Sequence, residues 1–186
     1  MTRADIPNII TILRIGLVPP VVAALYFGNY PLALVLYFVA GVSDGLDGYL
    51  AKRFNCVSRL GSILDPLADK LLLVGTFLVL GWQGLLPVWV VAIVILRDLV
   101  ILSGGIAYHF LIGNYEMAPT IISKVNTFMQ IALGLFVVVS AAFLSLPPWV
   151  LTSLVWIVAA TSILSGVHYV WSWGVRAKRN WPTRGA

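Results

Sequence analysis

Residues 149–173 read WVLTSLVWIVAATSILSGVHYVWSW, twenty-five positions without an acid, a lysine or an arginine. A helix crosses a bilayer with about 20 consecutive apolar residues, so this stretch alone is long enough to span. Pro147-Pro148 precede it and break any incoming helix, and Arg176, Lys178 and Arg179 follow it. Working outward, five more apolar segments can be read, at residues 8–27, 31–51, 60–80, 88–112 and 120–143, separated by turn formers at 27–31, 81–87 and 113–114. The whole 186-residue chain is 60% hydrophobic and 10% charged, with a mean hydropathy of +0.98. Soluble domains run about 45–50% apolar and about 25% charged, which excludes a soluble globular enzyme. Seven Trp, seven Tyr and eight Phe exclude a disordered chain. The sequence predicts an all-α polytopic membrane protein with six transmembrane helices, one domain over residues 1–186, with residues 1–6 as a short amphipathic segment at the interface. Arg14 sits inside the first apolar stretch and no small-residue cleavage site follows it, which argues against a cleaved signal peptide. The single Cys56 excludes an internal disulfide.

The net charge of +5 is distributed asymmetrically. The connections at 28–31, 81–87 and 144–148 carry no Lys or Arg, and eight of the twelve basic residues lie in or beside the N-terminus, the 52–59 loop, the 113–119 loop and the C-terminal tail. By the positive-inside rule both termini are cytoplasmic. The basic surplus then faces anionic headgroups or phosphate substrates. A nucleic-acid partner is not expected, because no folded basic face remains outside the membrane. Tyr30, Trp82, Trp89 and Trp149 at one edge, and Trp171, Trp173 and Trp181 at the other, read as interfacial belts. His109 and His168 are isolated and read as packing or interface residues.

The seven acids are Asp5, Asp44, Asp47, Asp65, Asp69, Asp98 and Glu116. Four of them crowd into 44–69, at the inner ends of the second and third predicted spans. Each ionisable group within a span costs about 2.5–3.5 kcal/mol on insertion scales, so four mutually repelling carboxylates need compensation. Asp44 and Asp47 stand at i,i+3, and Asp65 and Asp69 at i,i+4, so each pair shares a helix face. A short turn makes the two helices antiparallel neighbours, with the pairs facing one cleft. Oxygen-only donors favour Mg²⁺ or Mn²⁺, and four carboxylates can hold two such ions with substrate phosphate completing the shells. Salt bridges to Lys52, Arg53, Arg59 and Lys70 are the plainer alternative for these acids. Gly45, Gly48 and Gly61 remove side chains from the same region, for substrate approach or for close helix packing.

The run Asp44-Gly-Leu-Asp47-Gly48-Tyr-Leu-Ala51-Lys52, followed by Gly61, Asp65 and Asp69, resembles the signature D-x2-D-G-x2-A-R-x8-G-x3-D-x3-D of the CDP-alcohol phosphatidyltransferases. Seven of its eight fixed residues agree; Lys52 stands where the family usually has Arg, keeping the charge and losing a planar two-point grip. Ile6-Pro7-Asn8 with Thr11 and Arg14 resembles the opening of the bacterial enzymes of this family. Asn8 and Thr11 also suit a helix cap. The resemblance covers roughly residues 6–170. It implies a six-helix membrane fold, commonly a homodimer, in a bacterial-type inner membrane with its active site on the cytoplasmic side. It further implies transfer of a phosphatidyl group from CDP-diacylglycerol to an alcohol, releasing CMP. By the same resemblance Asp44, Asp47 and Asp65 are core ligands of the divalent cations, and Asp69 is the general base that also touches a metal. Asn8, Thr11, Arg14, Gly48, Ala51, Lys52 and Gly61 line the CDP-lipid pocket.

The acceptor is read from the later spans. Arg97-Asp98, the run Pro119 to Gln130 through Ser123-Lys124-Val125-Asn126-Thr127, and more weakly the run 160–169 are similar to the branch that joins CDP-diacylglycerol to phosphatidylglycerol, giving cardiolipin. The branch that uses glycerol 3-phosphate more often has Arg-Glu and Gly-Lys-x-Lys-Thr at the first two places. Arg97 and Lys124 are candidate ligands of the acceptor's phosphate through charge-assisted hydrogen bonds. Adjacent helical residues point about 100° apart, so a direct Arg97–Asp98 pair is not expected. Lys124 and Lys70 also suit simple snorkelling to the surface. A cation transporter, or a non-catalytic lipid-binding scaffold, is the competing class. Acids confined to two inner helix ends and the absence of repeated halves fit a transporter poorly.

Overall fold

The computed structural model describes the backbone of residues 5–54, 59–112 and 120–180 and the side chains of 12–43, 70–104 and 120–172. Six helices run through the described residues: α1 (Asp5–Tyr26), α2 (Tyr30–Phe54), α3 (Arg59–Trp82), α4 (Val88–Ile112), α5 (Ile121–Ala142) and α6 (Pro148–Asn180). No strand occurs among the described residues. Each helix coincides with one apolar segment of the sequence, because the turn formers between segments stop helices where expected. Two helical stretches, Ile121–Ala142 and Pro148–Ser172, are long and apolar enough to cross a membrane by length and composition. Boundaries differ by up to three residues at the other ends, as at Asp5 of α1 and Phe54 of α2, and most at the end of α6. The apolar pattern ends at Trp173, whereas α6 continues to Asn180. The extension carries Arg, Ala and Lys, strong helix formers that need no apolar face to keep backbone bonds internal.

The helices fall into two compact units. Residues 1–86 and 134–147 form the first, with α1 packed against both α2 and α3. Its core holds Val21, Leu25, Ala33, Ala40, Phe77 and Leu80. Gly75 sits where an added Cβ would stand 2.8 Å from Val22 Cγ2, so α1 and α3 approach there more closely than a side chain permits. Gly134 of α5 lies against Tyr37 of α2 and Thr76 and Phe77 of α3.

The turns that end α1 and α3 share one design. Gly28 adopts φ +72° and Gly84 φ +73°, a left-handed region that costs glycine little. Asn29 N–H donates to Ala24 O at 2.8 Å and Gly28 N–H to Leu25 O at 2.9 Å. These are the two bonds of a Schellman cap. Leu85 N–H to Leu80 O at 2.9 Å and Gly84 N–H to Gly81 O at 3.1 Å repeat it. Asn29 then starts α2, its Oδ1 accepting from Leu32 N–H at 3.3 Å. Gln83 closes this end of the unit. Its Nε2 donates to the carbonyls of Leu25 (2.6 Å) and Tyr26 (3.3 Å), and its Oε1 accepts from Tyr30 Oη at 3.2 Å. Carbonyls at the end of α1 that lack partners within the helix are thereby satisfied.

The second unit comprises residues 87–133 and 148–186. Here α4 packs on α6. Trp89 meets Trp156 with ring centroids 5.1 Å apart, and Arg97 meets Ser165. Both contacts have nearly the same sequence offset, so the two helices run parallel. Val90, Val94, Leu133 and Val158 are fully or almost fully buried. Thr120 caps α5, its Oγ1 accepting from Ser123 N–H at 3.3 Å, and its own N–H reaches Tyr169 Oη at 3.4 Å. The outsides of both units are apolar: Phe27, Trp82, Ile121, Trp149 and Trp171 are each more than 70% exposed. Such a surface suits lipid and not water.

Replacing Gln83 with Ala removes one of the two donors to the Leu25 carbonyl, together with the Gln83 bonds to the Tyr26 carbonyl and the Tyr30 hydroxyl. The expected loss is about 1–3 kcal/mol, against about 1 kcal/mol for Tyr30→Phe, which removes one neutral bond. Thermal midpoints of the purified protein in detergent check the order of the two effects.

Candidate functional site

The second unit encloses a polar network in apolar surroundings. Arg97 is 5% exposed and Asp98 9%. Arg97 Nη1 lies 2.7 Å from Asp98 Oδ1, a buried ion pair between sequence neighbours. This overturns the expectation that their 100° separation keeps them apart. The arginine stem is long enough to fold back over its own helix. Burial makes that worthwhile, because an uncompensated guanidinium in apolar surroundings costs several kcal/mol, at least about 3. The remaining donors reach across the unit. Nη2 donates to Ser123 Oγ at 2.6 Å and Ser165 Oγ at 2.7 Å, and Nε lies 3.2 Å from the same Ser165 oxygen. One guanidinium thus joins α4, α5 and α6.

Farther along α5, Asn126 is fully buried, its Oδ1 accepting from Ser162 Oγ and Thr161 Oγ1, each at 2.9 Å. Gln130 Nε2 approaches Ser162 Oγ at 3.5 Å. Asn126 Nδ2 and Gln130 Oε1 are buried without a hydrogen-bond partner among the described residues. The three stretches read separately from the sequence, Arg97-Asp98, Ser123 to Gln130 and 160–169, are therefore one hydrogen-bonded assembly.

Ser165, Ser162 and Thr161 were not singled out as individual residues by the sequence reading. Their spacing of three and four in an uncharged span puts them on one helix face, a signal that polar partners lie opposite. Gln83 had no such signal. Lys124, one turn into α5, is exposed, in contrast to the enclosed Arg97. His168 is exposed as well.

In the first unit Arg14 is fully buried and its side chain is engaged. Lys70 is half-buried and likewise engaged. The backbone of Asp44, Asp47, Gly48, Ala51 and Lys52 is helical within α2, and that of Gly61, Asp65 and Asp69 within α3. The i,i+3 and i,i+4 pairs therefore do lie on helices, each pair on one face. The side chains of these eight residues, and of Asn8 and Thr11, lie outside the described residues. No group of three metal-ligating side chains occurs among the described residues. The donor set itself, four carboxylates on two helices, fits hard divalent cations.

The sequence model described as CDP-alcohol phosphatidyltransferase matches residues 4–167. The chain belongs to the CDP-alcohol phosphatidyltransferase family. It is 35% identical over 143 residues to a probable CMP-forming cardiolipin synthase of Drosophila melanogaster, covering 68% of this chain and 44% of that protein. The human CMP-forming cardiolipin synthase is 35% identical over 144 residues, covering 69% and 48%. The CDP-diacylglycerol–glycerol-3-phosphate 3-phosphatidyltransferase of Bacillus subtilis is 30% identical over 187 residues, covering 89% and 93%. The chain thus spans less than half the length of these two cardiolipin synthases and nearly all of the Bacillus enzyme.

Asp98→Ala leaves the Arg97 guanidinium buried against two serines alone, with an expected cost of about 3–5 kcal/mol. Ser165→Ala removes a hydrogen bond to a charged group, expected at about 1.5–3 kcal/mol. The Arg97→Met/Asp98→Leu double variant, which removes both charges, is expected to cost less than the sum of the singles. A double-mutant cycle of unfolding free energies in detergent measures that coupling.

Proposed function

We propose that this protein transfers a phosphatidyl group from CDP-diacylglycerol to the hydroxyl of phosphatidylglycerol, forming cardiolipin and CMP. The observation that carries phosphatidyl transfer is a ladder of positions seven residues apart. Tyr30 bonds to Gln83. Seven residues on, Tyr37 shares the surroundings of Gly134 with Thr76, itself seven residues before Gln83. Seven residues make about two helical turns and return to nearly the same face. The next step leads to Asp44 on α2 and Asp69 on α3, with Asp47 and Asp65 one turn farther from the Gln83 end. This antiparallel register supports a shared level for the four carboxylates, where a diphosphate substrate needs its countercharge.

Asp44, Asp47 and Asp65, with Asp69 contributing, are the residues we assign to two divalent cations, Mg²⁺ or Mn²⁺. Such ions when bound neutralise charge on the bridging and leaving oxygens of the diphosphate. Asp69 accepts the proton of the acceptor hydroxyl as that oxygen attacks phosphorus. The P–O bond to CMP breaks in the same displacement. Asn8, Thr11, Arg14, Gly48, Ala51, Lys52 and Gly61 hold the CDP moiety, the glycines letting the nucleotide approach the backbone. Arg97, read from the sequence with Lys124 as a ligand of the acceptor's phosphate, has its guanidinium taken up by Asp98, Ser123 and Ser165, and Lys124 stands exposed on α5. We read the chain as one domain with six spans and both termini cytoplasmic, in a bacterial-type inner membrane, acting as a homodimer with its site on the cytoplasmic side. The apolar exterior and the basic residues beside the inner connections support this topology.

The neutral Asn126–Thr161–Ser162 cluster favours phosphatidylglycerol as acceptor. It brings together two of the stretches that resemble the cardiolipin branch, and a lysine at 126 would put a charge into a fully buried position whose partners are two neutral hydroxyls. The near full-length match to the Bacillus enzyme favours glycerol 3-phosphate as the second reading.

Purified protein given CDP-diacylglycerol and Mn²⁺, with phosphatidylglycerol or glycerol 3-phosphate offered separately, is expected to yield cardiolipin and CMP with the first alone. Phosphatidylglycerol phosphate as product replaces the acceptor and keeps the chemistry. Asp69→Asn is expected to lower turnover by about 10²-fold or more while still binding CDP-diacylglycerol; near-normal turnover removes the base assignment. Asp44→Ala is expected to abolish metal-dependent nucleotide binding, measured by calorimetry, and unchanged binding removes the metal assignment.

A further inference from the structure

Along α4 and α6 the second unit carries an open groove of about 490 Å³. Leu96, Val100, Ile163, Val167, Val170 and Trp171 line it, with Arg97 and Gly166. An added Cβ on Gly166 would stand 3.7 Å from Arg97 Cγ, so the arginine meets α6 here through its methylene stem. Its guanidinium is bound to Asp98, Ser123 and Ser165. Only hydrocarbon is therefore offered to an occupant, although a cation lies behind the lining.

Three observations identify that occupant. The first is length. The α6 side runs from Ser162 to Trp171, about 14 Å at 1.5 Å per residue. That is close to half of a hydrocarbon core of about 30 Å, the depth of one leaflet. The second is direction. The groove occupies the C-terminal part of the uncharged stretch Pro148–Ser172, and α6 then continues to Asn180 through Arg176, Lys178 and Arg179. Lys178 stands seven residues beyond Trp171, in register with the groove face. The third is charge. This end of the helix is cationic and carries no acid between Pro148 and Asn180, which complements an anionic headgroup.

We propose that this groove holds an acyl chain of an anionic glycerophospholipid, with its headgroup phosphate at the Lys178 end of α6, and that this lipid is the acceptor of the transfer. The acceptor role rests on the cardiolipin reading above; the lipid site itself does not. Phosphatidylglycerol brings two chains that must be seated, in addition to the two of the donor, while its free hydroxyl is presented.

The test uses the full chain in phosphatidylcholine nanodiscs containing phosphatidylglycerol with a diazirine near the end of one acyl chain. Light-induced adducts are mapped by peptide mass spectrometry. Adducts are expected at 93–100 and 163–171, at least about tenfold above those on the equally exposed Val35 and Phe128. Excess unlabelled phosphatidylglycerol, but not phosphatidylcholine, suppresses them. Filling the groove with Val100→Phe or Val167→Phe reduces them, and Lys178→Glu erases the preference for the anionic lipid. Even labelling of all exposed faces, or equal competition by phosphatidylcholine, overturns the site and leaves ordinary surrounding lipid. Chain-to-chain cross-linking through α4 and α6 that excludes the lipid overturns it in favour of a second copy of the protein. The acceptor role is read separately, from the groove-filling variants in the transfer assay. The KM for phosphatidylglycerol rises about tenfold and that for CDP-diacylglycerol stays constant. Selective labelling in a protein that makes only phosphatidylglycerol phosphate keeps the lipid site and overturns the acceptor role.

Discussion

A cation held almost entirely out of solvent among apolar helices sets the terms for the second unit. The guanidinium carries five N–H donors and a positive charge, so its helix must supply an anion and its neighbours must supply acceptors. Asp98 provides the first, and Ser123 and Ser165 provide the second. These demands fix the rotation of α5 and α6 about their axes far more tightly than exchangeable apolar contacts would. Rotating α6 by one residue would carry Ser165 away from the guanidinium and leave donors unmet. Between apolar helices and lipid tails the hydrophobic effect distinguishes little, so polar contacts and close packing determine arrangement.

The same constraint acts with neutral groups at the Gln83 end of the first unit. Helix ends leave carbonyls without internal partners, and Gln83 collects two from α1 while receiving the hydroxyl of Tyr30. With the Schellman caps at Gly28 and Gly84, this contact sets how far α2 and α3 slide past each other. A slip of one turn would move the two helices by about 5.4 Å, enough to separate oxygen ligands whose bonds to a hard cation are about 2.0–2.6 Å. A contact remote from the signature residues therefore bears on the level at which the proposed ligands stand.

Most of the architecture was legible in the sequence because the same residues perform both tasks. Gly28 and Gly84 cap the ends of α1 and α3, Pro87 and Pro147 stand just before α4 and α6, and the segments between the turns are predominantly apolar. The far end of α6 was less visible, since an apolar pattern reports burial or lipid contact and falls silent where a helix continues into basic residues. The Arg97–Asp98 pair went against a rule about helix faces. That rule describes Cβ directions, and a three-methylene reach to the guanidinium with a strong penalty for unpaired charge outweighs them. The carboxylate set rests on the opposite consideration, that four acids in apolar helices are costly without a countercharge; the backbone puts each pair on a helix, and the four side chains lie outside the described residues. Gln83 was illegible because its partners are backbone carbonyls, which every residue carries.

The length of α6 bears on the choice of acceptor. Its 33 residues extend about 50 Å, well beyond a hydrocarbon core of about 30 Å. For anchoring alone, a few unstructured basic residues would suffice, as they do after many spans. Continuing the helix keeps Lys178 in register with Trp171 and with the apolar groove above it. A soluble glycerol 3-phosphate would gain nothing from that alignment, because an anion needs only charge and donors. A phospholipid joins a phosphate to its chains, and a helix that carries an apolar lane and then a cationic end offers a seat to each. Under the cardiolipin reading, the helical continuity of α6 thus places an apolar lane and a cationic end for the acceptor lipid on one rigid element.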